Sequence, residues 1–217
     1  MEAAGTGTTA LRPRAPRLVF WETTEACNLA CVHCRRLSES VRASPEELST
    51  ADAIRVIDQL AEAGCMILVF SGGEPLMRSD LFELLNHARD RRLMTAVASN
   101  GTLINDVVAR ELARAGVRRA SISLDGPDPI THDGFRRIDG SFEAALGAIG
   151  NLREAGIGVQ INCTVATHNH EQLEEMYSLA VRAGAEALHG PLRLQVLEST
   201  TTSVTRLRVT VLEPTQH

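Results

Sequence analysis

The sequence predicts an α/β fold, a parallel sheet with helices packed outside it. Three observations lead there. Short apolar strands alternate with amphipathic helices five or six times along the chain. The strands are nearly continuous apolar runs, as expected when both faces of a sheet are covered. The polar and unusual residues gather just after the strands, where ligands of such folds bind. Right-handed crossovers leave two architectures open at this point, an open doubly wound sheet or a barrel.

The elements follow in order. Residues 17–21 (Arg-Leu-Val-Phe-Trp) read as the first strand. Ser49 with Asp52 reads as a capping box, opening a helix whose inward face is Ile54, Ile57, Leu60 and Ala61. Residues 66–70 form a second strand, and a helix from Ser79 carries Leu81, Leu84, Leu85 and Ala88 inward. A third strand spans 95–98, and a helix over 106–115 stops at Gly116. Residues 119–123 are a fourth strand; Ser141 is read as the cap of a helix with Ala145, Ile149 and Leu152 that ends at Gly156. A fifth strand covers 158–165. Asn169 with Gln172 then opens a helix bearing Leu173, Met176 and Ala180, closed by Gly184, and a sixth strand starts near Ala185. Flanking this core at 17–190 are an Ala/Gly/Thr-rich leader over 1–16 and a tail over 191–217, irregular or hairpin-like.

Composition excludes some functions. With 217 residues and 44% hydrophobic content the chain suits one large domain, or at most two small ones, with a real core. A net charge of -5, scattered arginines and 3% aromatics argue against nucleic acid as a partner. No run approaches the length of a membrane span. The five cysteines, three of them within eight residues, do not look like a disulfide framework, which suggests the reducing cytoplasm.

The sharpest chemical signal is Cys27-Asn-Leu-Ala-Cys31-Val-His-Cys34, directly after the first strand. Three thiolates in one loop suit an iron–sulfur cluster with one iron left open to an external ligand. A structural zinc site and three packed thiols are the competing readings. After the second strand comes Ser71-Gly72-Gly73-Glu74-Pro75. Paired glycines let a backbone approach a ligand closely, and a tight strand-to-helix turn would use them too.

Together these two loops resemble the radical S-adenosylmethionine (SAM) superfamily. Ser99-Asn-Gly-Thr102, Ser121-Ile-Ser-Leu-Asp-Gly126 and His132-Asp-Gly-Phe-Arg136 extend the resemblance to the branch of haem-pathway, haem d1-pathway and SPASM-type enzymes, over about 18–189. The resemblance implies a partial (β/α)6, TIM-like barrel. It implies that Cys27, Cys31 and Cys34 ligate a [4Fe-4S] cluster whose fourth iron chelates SAM. One-electron reduction then yields a 5′-deoxyadenosyl radical that abstracts hydrogen from substrate. Gly72, Gly73 and Glu74 would hold the SAM amino group, Ser123 would lie near SAM, and Arg136 would pair with its carboxylate. Asn100 would lie by the ribose, and His33 against the adenine. A reduced flavodoxin- or ferredoxin-type protein is the implied electron donor.

Plainer readings stand beside these. Asn100-Gly101 is also a common turn, Arg136 an ordinary surface charge, and Ser123 and Asp125 the end of a strand. Asn162 and Thr164 alternate toward the barrel interior. Cys65, Cys163 and Trp21 are read as core, and His168 and His170 as solvated. No cysteine follows Cys163, whereas SPASM-type relatives place further cluster ligands there, so a shortened or altered C-terminus is expected. The substrate implied first is a tetrapyrrole side chain, because the stretch 16–35 most resembles the haem-related enzymes. A ribosomal peptide is the alternative substrate, and a non-catalytic iron–sulfur or zinc fragment the alternative function.

Overall fold

The structure is a computed structural model that describes residues 16–34 and 42–190. The leader and tail expected at the two ends lie outside the described residues, Pro16 excepted. Six strands form one parallel sheet: β1 (Leu18–Thr24), β2 (Ile67–Gly72), β3 (Met94–Ser99), β4 (Val117–Ser123), β5 (Gly158–Asn162) and β6 (Ala187–His189). Their spatial order is their chain order, β1 to β6. A doubly wound sheet reverses direction partway, so this unbroken progression is that of a barrel. Within the described residues β1 and β6 do not pair, and the barrel stays partial.

Alternation along each strand divides the side chains between two faces. Leu68, Phe70, Val97, Ile122 and Ile161 are fully buried on the outer face. There they meet α1 (Thr50–Glu62), α2 (Leu81–Asp90), α3 (Asp106–Arg114), α5 (Ser141–Glu154) and α6 (Leu173–Arg182) through Ile57, Leu84, Leu112, Leu152 and Met176. The inner face carries Ser71, Ala98, Ser123 and Asn162 at its upper end. Glu22 sits in register with Ser71, and Ser123 with Asn162. Among the described residues no helix is long and apolar enough to cross a membrane.

Several boundaries follow the local chemistry predicted for them. Ser49 Oγ accepts the Asp52 amide at 3.2 Å, as the capping box requires. Others depart from expectation. Helix α2 begins at Leu81 rather than Ser79, and Asp80 gives it no side-chain cap. Instead Asp80 accepts from Thr50 and Arg78. Strand β5 ends at Asn162, not 165, because the Thr164 amide donates to the Asp125 carboxylate at 2.6 Å instead of to a neighbouring strand. Asn169 does not cap a helix. Its side chain braces the loop, donating to the carbonyls of Asp125 and Thr164 and accepting from the Ala166 amide. A single 3-10 turn, His170–Gln172, then precedes α6.

One helix was not foreseen. Residues Pro129–Arg136 form α4, with Asp128 accepting the Thr131 amide at 2.8 Å and proline in the first turn. The Asp128-Pro129 pair is a start signal written in the local sequence. Ser141 is likewise corrected: it is the first residue of α5, not its cap. The cap position is Gly140, in the left-handed region at φ 83°, which offers no side chain. Asp133 of α4 does the work from outside, accepting from the Gly140 amide (2.8 Å), Ser141 Oγ (2.7 Å) and the Phe142 amide (2.7 Å).

Partial burial works against the Asp133 anion, but these three donors outweigh it and hold its carboxyl below the usual value. A depressed carboxylate stabilises the fold above its unfolded-state pKa, and that stability is lost as pH falls through the folded one. Asp133→Ala should therefore cost about 0.5–2 kcal/mol at neutral pH, the range for losing a helix cap. Denaturant titrations should show the gap to the parent protein closing as pH drops below about 4.

Candidate functional site

The upper ends of the strands surround a cavity of about 990 Å³. Its lining includes Cys27, Cys31, Cys34 and His33 from the loop after β1, Gly72 and Gly73 after β2, Asn100 after β3, Ser123 at the end of β4, and Arg136 at the end of α4. Every site residue expected from the sequence lines it except Glu74. Asn162 joins them from β5; Thr164 does not.

The cysteine loop is held from three sides. Beneath it, the amides of Gly73 and Glu74 donate to the carbonyls of Thr24 and Ala26, each at 2.7 Å. A β-carbon on Gly73 would fall 2.2 Å from the Ala26 oxygen, and one on Gly72 would fall 2.3 Å from the Thr24 oxygen. The glycine pair is thus required by the close approach of two backbones. From β3, Asn100 donates to Asn28 Oδ1 (2.9 Å), and Asn28 donates to Thr102 Oγ1 (2.8 Å). Asn100-Gly101 is a turn, but its asparagine also grips the loop. From α4, the Phe135 carbonyl accepts the Val32 amide at 3.0 Å, and the Phe135 ring stacks on His33 at 4.3 Å. His168, exposed as expected, stacks on the opposite face of Phe135 at 3.8 Å.

Glu74 does not line the cavity. Its side chain is fully buried and turned toward β3. Ser99 Oγ donates to Oε1 (2.9 Å), the Leu76 amide to the same oxygen (3.3 Å), and the Asn100 amide to Oε2 (2.8 Å). Burial outweighs these donors and lifts its carboxyl to about 7.

Arg136 is not a surface charge. Only 7% exposed, it pairs with Asp125 at 2.5 Å through Nη2, and Nη1 donates to Cys31 Sγ at 3.7 Å. Its Nε is buried and has no hydrogen-bond partner among the described residues. Asp125 is fully buried, and its own amide donates to His132 Nδ1 at 3.0 Å. Burial first, then the Arg136 charge, pushes His132 down to about 4, so it stays neutral and can accept that bond. Asn28, Thr102, Phe135 and Asp125 were missed as functional candidates. All four lie inside the motifs already quoted, one or two positions from the residues singled out.

All five cysteines are free thiols. Burial pushes Cys27 and Cys31 above the usual thiol value, while Arg136 works the other way on Cys31. Among the described residues no three His, Cys, Asp or Glu converge tightly enough for one metal ion. Three soft thiol donors lining one cavity fit the donor set of an iron–sulfur cluster.

Two substitutions probe this construction. Gly73→Ala drives a methyl into backbone that has no room to retreat. It should destabilise the protein by about 1–3 kcal/mol or more in urea titrations. Glu74→Gln tests the buried carboxylate. A raised folded-state pKa stabilises below the unfolded value and loses that stability as pH rises through the folded one. The parent protein should thus lose roughly 3 kcal/mol relative to Glu74→Gln between pH 4.5 and 7. A pH-independent difference would contradict it.

Comparison with known proteins agrees with the geometry. The sequence model of the radical SAM superfamily matches residues 21–180. The chain is 43% identical over 173 residues to the AdoMet-dependent heme synthase of Nitratidesulfovibrio vulgaris, covering 80% of this chain and 47% of that protein. It is 40% identical over 172 residues to the mycofactocin maturase MftC of Mycolicibacterium smegmatis, covering 79% and 43%. Among solved structures, Streptococcus suis SuiB bound to its precursor peptide SuiA shares the fold, with TM-score 0.72 at 18% identity over 82% of this chain and 40% of that one. The chain spans about half the length of the curated relatives it matches. With the family match extending from β1 into α6, the chain belongs to the radical SAM superfamily, whose members use a [4Fe-4S] cluster and SAM.

Proposed function

We propose that residues 17–190 form a radical SAM core in which Cys27, Cys31 and Cys34 hold a [4Fe-4S] cluster and the rest of the cavity holds SAM. The observation that carries this reading is the convergence of the three cysteines, the Gly72-Gly73 turn, Ser123 and Arg136 on one cavity at the ends of the strands. Such a cluster, when bound and reduced, supplies the electron that cleaves SAM to methionine and a 5′-deoxyadenosyl radical.

The protein's own groups bind and orient. Gly72 and Gly73 bring main chain to the cavity lining, where it can meet the amino end of SAM. Ser123 and Arg136 line the cavity and face the SAM carboxylate, a charge-assisted role suited to a guanidinium. Asn100 stands at the ribose and His33 at the adenine. Glu74 acts indirectly, joining the ends of β2 and β3 beneath the cavity.

Abstraction of hydrogen from a tetrapyrrole side chain is the substrate chemistry proposed, supported by 43% identity to a heme synthase. A peptide substrate is the second reading, favoured by the fold shared with a peptide-bound structure and by the maturase relative. A reduced flavodoxin- or ferredoxin-type donor would supply the electron, and nucleic acid is not a partner at a net charge of -5. Five free cysteines support a cytoplasmic location.

Anaerobic reconstitution with iron and sulfide, followed by reduction with SAM, should yield 5′-deoxyadenosine. Cys31→Ala should bring that product to background. Bound zinc with no sulfide would overturn the reading in favour of a non-catalytic metal site. Adding an iron-porphyrin or a precursor peptide in turn should identify the substrate class by which one raises SAM consumption above the uncoupled rate.

A further inference from the structure

The Arg136 side chain is built into the protein more firmly than binding a small ligand requires. Nη2 lies 2.5 Å from Asp125, whose carboxylate is fully buried. Asp125 is itself fixed on three sides: Oδ1 accepts the Thr164 amide, its own amide donates to His132, and its carbonyl accepts from Asn169. The other arm of the guanidinium is not spent on structure. Nη1 donates to Sγ of Cys31 at 3.7 Å.

Helix α4 carries both the arginine and the grip on the cysteine loop. The residue before Arg136, Phe135, accepts the Val32 amide and stacks on His33. Loop and guanidinium are therefore held on one frame, and the contact to Cys31 is set by the fold. Fixed hydrogen bonds to cysteine sulfur and nearby positive charge are among the main determinants of an iron–sulfur potential.

We propose that Arg136, anchored by Asp125, raises the reduction potential of the cluster held by Cys31. The proposal rests on the reading above that the three cysteines bind an iron–sulfur cluster. One electron enters from an external low-potential donor, and no covalent bond forms or breaks. The added negative charge, shared by the cysteine sulfur, is stabilised by a cation that is already in place. The planar fork of arginine serves carboxylate and sulfur at once, which a lysine ammonium cannot reproduce.

The test is a redox titration of reconstituted protein without SAM, followed by electron paramagnetic resonance and by iron and sulfide analysis. Arg136→Gln should keep the cluster and lower the equilibrium constant for reduction about tenfold, a negative shift of roughly 59 mV for one electron. Arg136→Lys should fall between it and the parent, and carries the test if the glutamine variant takes up no cluster. Asp125→Asn should also shift negatively, because the guanidinium loses its anchor. A positive shift there would mean that the carboxylate charge, not the placement of Arg136, governs the potential, and would overturn the proposal. An unchanged potential in a fully loaded Arg136→Gln or Arg136→Lys protein overturns it while leaving the radical SAM reading intact. Failure of the parent protein to bind any iron–sulfur cluster overturns both.

Discussion

Where β1 and β2 end, the amides of Gly73 and Glu74 donate to the carbonyls of Thr24 and Ala26, and the two main chains run too close for any β-carbon between them. Much else around the cavity follows from that contact. It sets the base from which the cysteine loop departs, so that Cys27, Cys31 and Cys34 turn over the sheet rather than into solvent. It also directs the Glu74 side chain away from the cavity and beneath it, where Ser99 and Asn100 receive it. Asn100, placed in this way, reaches Asn28 in the cysteine loop. A short chain of hydrogen bonds thus returns to the loop where it began.

The charges of the site are arranged in the same economical manner. Glu74 and Asp125 are both fully buried carboxylates, and their surroundings treat them differently. Glu74 meets neutral donors, and burial lifts its carboxyl toward neutrality. Asp125 faces the Arg136 guanidinium directly. A buried pair of this kind contributes little net stability, because desolvation offsets most of the attraction. Its value lies in placement. Asp125 joins the end of β4 to α4 and to the loop after β5, and keeps a cation beside the Cys31 thiol.

The partial barrel gives this site its setting. Parallel strands added strictly in chain order bring their carboxyl ends to one rim. The outer face, filled by Leu68, Phe70, Ile122 and Ile161 against the helices, supplies the core. The inner face can therefore carry Ser71, Ser123 and Asn162 without loss of hydrophobic packing.

Strands, helices and the three cysteines were legible because each is encoded locally. Periodicity marked the elements, spacing marked the cysteine loop, and Ser49 marked a cap. The true ends of β5 and α5 were not, because they depend on partners outside their own segments, whereas α4 carries a local start signal in Asp128-Pro129. Asp125 takes the Thr164 amide and stops β5; Asp133 supplies the cap that Gly140 lacks. The sequence by itself determined the class of fold and the family. Only the tertiary structure decided that Glu74 is buried beneath the cavity, that Arg136 is a buried cation against Cys31, and that Gly72 and Gly73 answer to backbone packing. The physical reason is that burial, charge pairing and close approach depend on which loops meet at the rim of the barrel. A one-dimensional pattern does not contain those distances.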